Sequence, residues 1–200
     1  MSRTALIAWG ILGLFAAGIA LFLALAPDPR QPQVISRPAE NIQAAIGGPF
    51  TLTDAKGETF SSTRLAGRPH AIFFGFTNCP DVCPTTLAKL VQWREQLGTD
   101  AFDIVFVTVD PERDGPEQVG KYEQLFDTPI IGLTGSVDEI AKVKNQFGVY
   151  SAKSGNDAEN YNVDHTASVF LMDREGKFVS TIALEEGNEP ALAKLRRIAG

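Results

Sequence analysis

Hydrophobic and polar positions divide the chain into two regimes. From Ala5 to Ala26 the run ALIAWGILGLFAAGIALFLALA carries neither a charge nor a polar stripe. At about 1.5 Å per residue it reaches about 33 Å as a helix, enough to cross a bilayer core. A buried helix of a soluble protein keeps a polar face, and this segment has none. The competing reading is a cleaved signal peptide. ALA at residues 24–26 resembles a cleavage box, but the apolar run is longer than a usual signal core, and Pro27 would directly follow the cut. The pattern predicts a transmembrane anchor over 5–26 behind a short head, residues 1–4. PDPRQPQVISRPAENIQAAIGG follows, with four prolines and few large apolar residues. It predicts an extended, semi-rigid tether over 27–47 and a globular domain over 48–200.

Within that domain the periodicity changes every ten to twenty residues or so. FTLTDAKGETFSS alternates about Asp54–Gly57 and predicts a hairpin. HAIFFGF (70–76) is a continuous apolar run suited to a central strand. Pro84 opens a helix in which Leu87, Leu90, Val91 and Leu97 recur at helical spacing, with Gly98 at its end. FDIVFVTVD (102–110) is a second buried strand. Asp114 is read as the cap of the next helix, with Pro116 in its first turn. PIIGLTG is a third, short strand. Ser136 and Glu139 form a capping-box pattern ahead of VDEIAKVKNQF. ASVFLMDREGKFVSTIAL is a hairpin turning at Asp173–Gly176, and a terminal helix starts with Asn188 near its cap. Strands alternating with helices, then a hairpin and a last helix, describe an α/β sheet covered on both faces, parallel first and antiparallel at the end. This is the element order of a thioredoxin-like domain with an added N-terminal hairpin.

Composition changes this picture little. The apolar and charged fractions are ordinary for a globular protein, and the net charge is −6. No Lys/Arg cluster exists, which argues against nucleic acid as a partner.

The chemistry concentrates in FTNCPDVCPTT, which holds the only two cysteines, Cys79 and Cys83. They fall between a central strand and the following helix. Pro84 at the first helical position would make Cys83 the cap, where free amides and the positive helix end stabilise a thiolate. A helix-like turn brings the two α-carbons to about 6 Å, within disulfide range, and could equally aim both sulfurs at one ion. A plain structural staple closing so small a loop would contribute only about 2 kcal/mol, which a domain with its own core hardly needs.

Two histidines complete the inventory. His70 lies at the start of a strand, where a surface or strand-end role is expected. His165, in YNVDHTASVFLMD, precedes the strand adjacent to the central one. Its loop faces the cysteine turn, where thioredoxin-like oxidoreductases carry a cis-proline. Ser151 to Glu189 contains no proline. Two thiolates and an imidazole make a soft three-donor set. Structural zinc wants four closed ligands and no fourth is evident, whereas Cu(I) and Cu(II) both accept such a set.

FFGFTNCPDVCPTTL, VFVTVDPERDGPE and YNVDHTASVFLMDREGKF together closely resemble the Sco/SenC family, over the chain from about Gly47 to the end. The resemblance implies a membrane-anchored, thioredoxin-like copper chaperone. Its copper ligands map onto Cys79, Cys83 and His165, and its acceptor is the binuclear copper centre in subunit II of cytochrome c oxidase. Thr166 stands where the family often has Ser. Asp110 and Asp164 are candidates to orient the ligands from behind; the alternative is that they only make turns. Arg113 and Asp114 are read as shaping the loop and capping the helix.

Three functions remain open on this reading: copper delivery, reduction of the oxidase's copper-site cysteines by the same dithiol, and copper or redox sensing. A dithiol enzyme in an oxidising compartment needs an outside reductant, such as a thioredoxin-like protein. Copper could be supplied by another chaperone. Arg3 before the anchor and Arg30 and Arg37 after it do not orient the segment by charge. The exported orientation follows from the sulfur chemistry. With no Arg-rich transit sequence ahead of the anchor, the expectation is a bacterial inner-membrane protein with its domain in the periplasm.

Overall fold

The computed structural model describes residues 46–155 and 161–200. The anchor expected over 5–26, the head before it and the tether as far as residue 45 lie outside these residues. Among the described residues no helix is long and apolar enough to cross a membrane.

The N-terminal hairpin forms as expected from β1 (Thr51–Asp54) and β2 (Thr59–Ser61). Asp54 closes it, with Oδ1 accepting the amides of Lys56 and Glu58 at 3.0 Å each. Gly57 takes the left-handed position, φ +79°, where a side chain would be strained. The chain continues as β3 (His70–Gly75), α1 (Val82–Leu97), β4 (Asp103–Thr108), α2 (Pro116–Glu123), β5 (Ile131–Thr134) and α3 (Val137–Phe147). Then come β6 (Ser151–Ser154), β7 (Asn162–His165), β8 (Val169–Met172), β9 (Phe178–Ile182) and α4 (Asn188–Ala199).

Seven strands form the main sheet in the order β2-β1-β5-β4-β3-β8-β9. β3, β4 and β5 are parallel, whereas the hairpin β1-β2 and the strands β8 and β9 add antiparallel edges. All six residues of β3 are buried, as its unbroken apolar run requires of a strand covered on both faces. Alternation assigns the faces. Gly75 approaches Cys83 of α1, and Phe73, on the same face, pairs in register with Phe106, which packs against Tyr122 of α2. Phe74 points the other way and meets Phe147 of α3, which also contacts Phe50 and Phe170. The capping box of α3 is present: Ser136 Oγ accepts from Glu139 N, and Glu139 accepts from Ser136 N at 2.8 Å.

Four local expectations change. First, α1 starts at Val82 rather than Pro84, so Cys83 lies inside the first turn instead of capping it, and Asp81 takes the flanking position. Proline is tolerated anywhere in that turn, because those amides have no acceptor within the helix. Second, Gly115 rather than Asp114 precedes α2, and Asp114 is turned into the interior. Third, Asn188 opens α4 as expected, but the cap itself is Gly187, and Asn188 Oδ1 accepts from Trp93 Nε1 at 3.3 Å, joining α4 to α1. Fourth, β6 and β7 pair as a separate antiparallel ribbon whose second strand ends at His165. His165 therefore closes a strand rather than sitting in a free loop.

Candidate metal centre

The site is built at the C-terminal ends of the parallel strands. β3 ends at Gly75, and residues 76–81 turn into α1, carrying Cys79 and Cys83. β7 brings in His165 from the far side, and β8, next to β3, follows after three residues. Cys83 is fully buried and Cys79 half-buried, and both thiols are free. Cys83 Sγ lies 3.6 Å from His165 Nε2. The Cys83 amide donates to Cys79 Sγ at 3.4 Å. The helix end therefore addresses Cys79, the loop sulfur, and not Cys83 as the sequence suggested.

Local packing explains the arrangement. A Cβ at Gly75 would lie 2.9 Å from Cys83 Sγ, so only glycine lets the sulfur approach the strand. Burial pushes the Cys83 thiol well above its ordinary pKa, and the neighbouring Cys79 adds to this. In the metal-free protein Cys83 is thus a protonated donor. This corrects the expectation of a helix-stabilised thiolate at that position.

The imidazole is held by three neighbours. Its Nδ1 is 3.0 Å from the Thr166 carbonyl, which can only accept, so Nδ1 carries the proton. The Nε2 lone pair is then directed at Cys83 Sγ. Phe76 meets the ring edge-on at 5.8 Å and Phe73 at 6.2 Å. Burial lowers the His165 pKa, outweighing the Thr166 carbonyl and the charge of Asp164, which act the other way. The ring is therefore held neutral, the form that ligates metals.

Cys79 and His165 line a cleft of about 250 Å³ with Phe76, Val82, Val163 and Leu184. A larger cavity, about 390 Å³, opens beside His70 at the other end of β3, but it contains no thiol. His70 is buried at the strand end, its Nδ1 3.0 Å from Arg68 O. It fits the strand-end role and not a surface one. Among the described residues no group of three or more His, Cys, Asp or Glu side chains is placed to hold a metal ion. Cys83 and His165 are in place, and Cys79 Sγ is turned towards the helix amide.

The two flanking carboxylates part ways. Asp164 is exposed and lines the cleft beside His165. Asp110 is buried, but it touches neither sulfur nor imidazole. It pairs with Arg113 and accepts from Tyr161 Oη at 2.7 Å. Asp114 accepts from Thr77 N, Thr77 Oγ1 and Thr108 Oγ1 at 2.8, 2.6 and 2.6 Å. Periodicity carries no trace of Gly75, Thr77 or Tyr161, because their roles depend on which segments meet in space.

The SCO1/SenC family model matches residues 38–200. The chain belongs to the SCO1/SenC family. The SCO2-like protein RP587 of Rickettsia prowazekii is 43% identical over 144 residues, 70% of each chain. The human mitochondrial SCO2 homolog is 36% identical over 194 residues, covering 94% of this chain and 73% of that one. The copper-bound structure of Bradyrhizobium japonicum ScoI is 45% identical, with TM-score 0.70, across 77% of this chain and 99% of the other. Family membership accounts for the thioredoxin-like layout and for the three sequence segments that carried the resemblance.

Proposed function

We propose that this protein is a membrane-anchored copper chaperone. It takes one copper ion through Cys79, Cys83 and His165 and passes it to the binuclear copper centre in subunit II of cytochrome c oxidase. The observation that carries the reading is the 3.6 Å approach of His165 Nε2 to Cys83 Sγ, made by segments 82 positions apart. The carbonyl at Thr166 leaves Nε2 free to ligate. The donor set fits the cargo: two sulfurs and a neutral imidazole suit Cu(I), and Cu(II) with a further weak ligand. Copper bound by relatives such as the Bradyrhizobium japonicum protein supports the same choice.

In this reading Cys79 supplies the mobile ligand. Its Sγ leaves the Cys83 amide and turns into the cleft as the incoming ion displaces the proton of each thiol to solvent. Release reverses these steps, and the half-buried Cys79 is the sulfur an acceptor's thiolate reaches first. Ala5–Ala26 anchors the chain in the bacterial inner membrane, and the tether holds the domain in the periplasm.

Copper titration of the reduced protein tests the reading. Wild type should bind one equivalent with sulfur and nitrogen ligands in X-ray absorption. Cys79→Ser and Cys83→Ser should lose tight binding, and His165→Ala should lose stable Cu(II). Tight binding that survives both serine substitutions would place the site elsewhere. The two free, adjacent thiols favour a second reading, reduction of the acceptor's disulfide. That chemistry needs no imidazole. Full oxidase assembly in cells carrying His165→Ala, without added copper, would favour it over delivery.

A further inference from the structure

The donors of the proposed site come from two segments that share no backbone pairing. Cys79 and Cys83 flank the turn after β3, whereas His165 ends the β6-β7 ribbon, outside the main sheet. One short loop, residues 110–114, holds both. On the cysteine side, the Asp114 carboxylate is buried to 1% exposure and receives Thr77 N, Thr77 Oγ1 and Thr108 Oγ1. Thr77 is two residues before Cys79, and Thr108 pairs in register with Gly75, beneath Cys83. On the histidine side, Arg113 Nη1 donates to Tyr161 O at 2.9 Å, and its guanidinium stacks 3.6 Å from the Tyr161 ring. Tyr161 Oη returns to Asp110 at 2.7 Å, and Asp110 also pairs with Arg113. Tyr161 leads directly into β7 and so to His165. The same guanidinium lies 6.0 Å from Phe76, whose ring packs against the imidazole.

We propose that the 110–114 loop is a clasp that sets the spacing between the thiols and the imidazole, with Asp114 and Arg113 as positioning residues for copper. This rests on the three-donor reading of the site. Neither residue touches a donor atom. Asp114 fixes the start of the cysteine turn and leaves residues 78–81 free to carry Cys79 between the helix amide and the cleft. Arg113 and Asp110 fix the start of the histidine strand. The loop itself is anchored to the sheet where Asp114 O accepts from Thr134 Oγ1 of β5 at 2.6 Å, and it is closed on itself where Asp114 N donates to Asp110 O at 2.9 Å. Three strand ends and the ribbon are thereby referred to one rigid point. Metal sites lose affinity when the groups that orient their ligands are removed, even with every ligand present.

The test uses the full chain, purified in detergent and reduced. Cu(I) affinity is measured by competition with a chromophoric chelator, alongside the denaturant midpoint. Thr77→Val and Tyr161→Phe each remove one arm's hydrogen bond to a carboxylate while keeping the side-chain shape. Each should weaken copper binding by about tenfold. The double variant should lose less than the product of the two, because both arms set one spacing. Asp114→Asn, whose amide oxygen still accepts from Thr77 N, should retain more affinity than Asp114→Ala. Leu195→Ala, buried in α4 away from the site, should lower the midpoint and leave copper affinity within about twofold. Single variants that bind copper within twofold of wild type, or a Leu195→Ala loss as large as theirs, would overturn the clasp. In the metal-free chain the Thr77 amide should exchange at least about tenfold faster in Asp114→Ala. Unchanged exchange overturns the clasp whether or not copper binds. A wild-type chain that binds no copper overturns the three-donor reading itself.

Discussion

Replacing Gly75 with alanine probes the closest contact in the site. The added Cβ would lie 2.9 Å from Cys83 Sγ, 3.0 Å from Phe73 Cε1 and 3.1 Å from Phe106 Cε2. Both rings are at most 1% exposed and have no room to retreat. The sulfur is fully buried too, with His165 Nε2 already 3.6 Å away. Overpacking of this kind costs about 1–3 kcal/mol. Guanidinium unfolding should show that loss as a lower midpoint with an unchanged slope. Copper binding should weaken as well, because the displaced sulfur no longer faces Nε2 at the same distance. The decisive arm is a double-variant cycle with Cys83→Ala. Removing Sγ removes the shortest of the three contacts, so Gly75→Ala should cost about 1 kcal/mol less in that background. An equal cost in both backgrounds would refute the claim that glycine is required here by the sulfur.

Further outcomes follow from other parts of the fold. Burial holds His70 below its ordinary value near 6.5, against the opposing pull of Arg68 O and of Asp103 and Asp173. The unfolded chain therefore takes up the proton first as pH falls. Stability from this group is complete above about pH 6.5 and declines below it, and His70→Gln should flatten that part of the stability–pH profile measured by denaturant titration. Phe147→Ala empties the contact point of Phe50, Phe74 and Phe170 and should cost about 3–5 kcal/mol in chemical unfolding. Ser136→Ala removes the cap of α3 and should cost about 1 kcal/mol, with copper affinity unchanged because the cap lies outside the site. For the segment outside the described residues, the full chain should stay with membranes through a high-salt wash, as a spanning helix does and a charged patch does not.

Much of the architecture was legible in the order of residues because it follows from local physics. Period-two alternation and four-residue turns from Asp54 to Gly57 and from Asp173 to Gly176 announce both hairpins of the main sheet. Unbroken apolar runs at 70–76 and 102–110 announce strands covered on two faces, and the Ser136–Glu139 box announces a helix start. The candidate donors were legible for another reason: cysteine and histidine are scarce here, and each carries chemistry no other side chain supplies. Tertiary structure alone decided how those donors stand. The β6-β7 ribbon had no readable signal, since a two-stranded surface ribbon buries only Val163 and Tyr161 about its second strand and leaves β6 without alternation. The helix field falls on Cys79 because α1 begins at Val82, two residues earlier than Pro84 implied. Burial against Gly75 keeps the Cys83 thiol protonated. Asp110 and Asp114, read from the sequence as an orienting carboxylate and a helix cap, became the two buried ends of a hydrogen-bonded loop. Desolvation and contacts between distant segments set these outcomes, and neither is written in the spacing of residues along the chain.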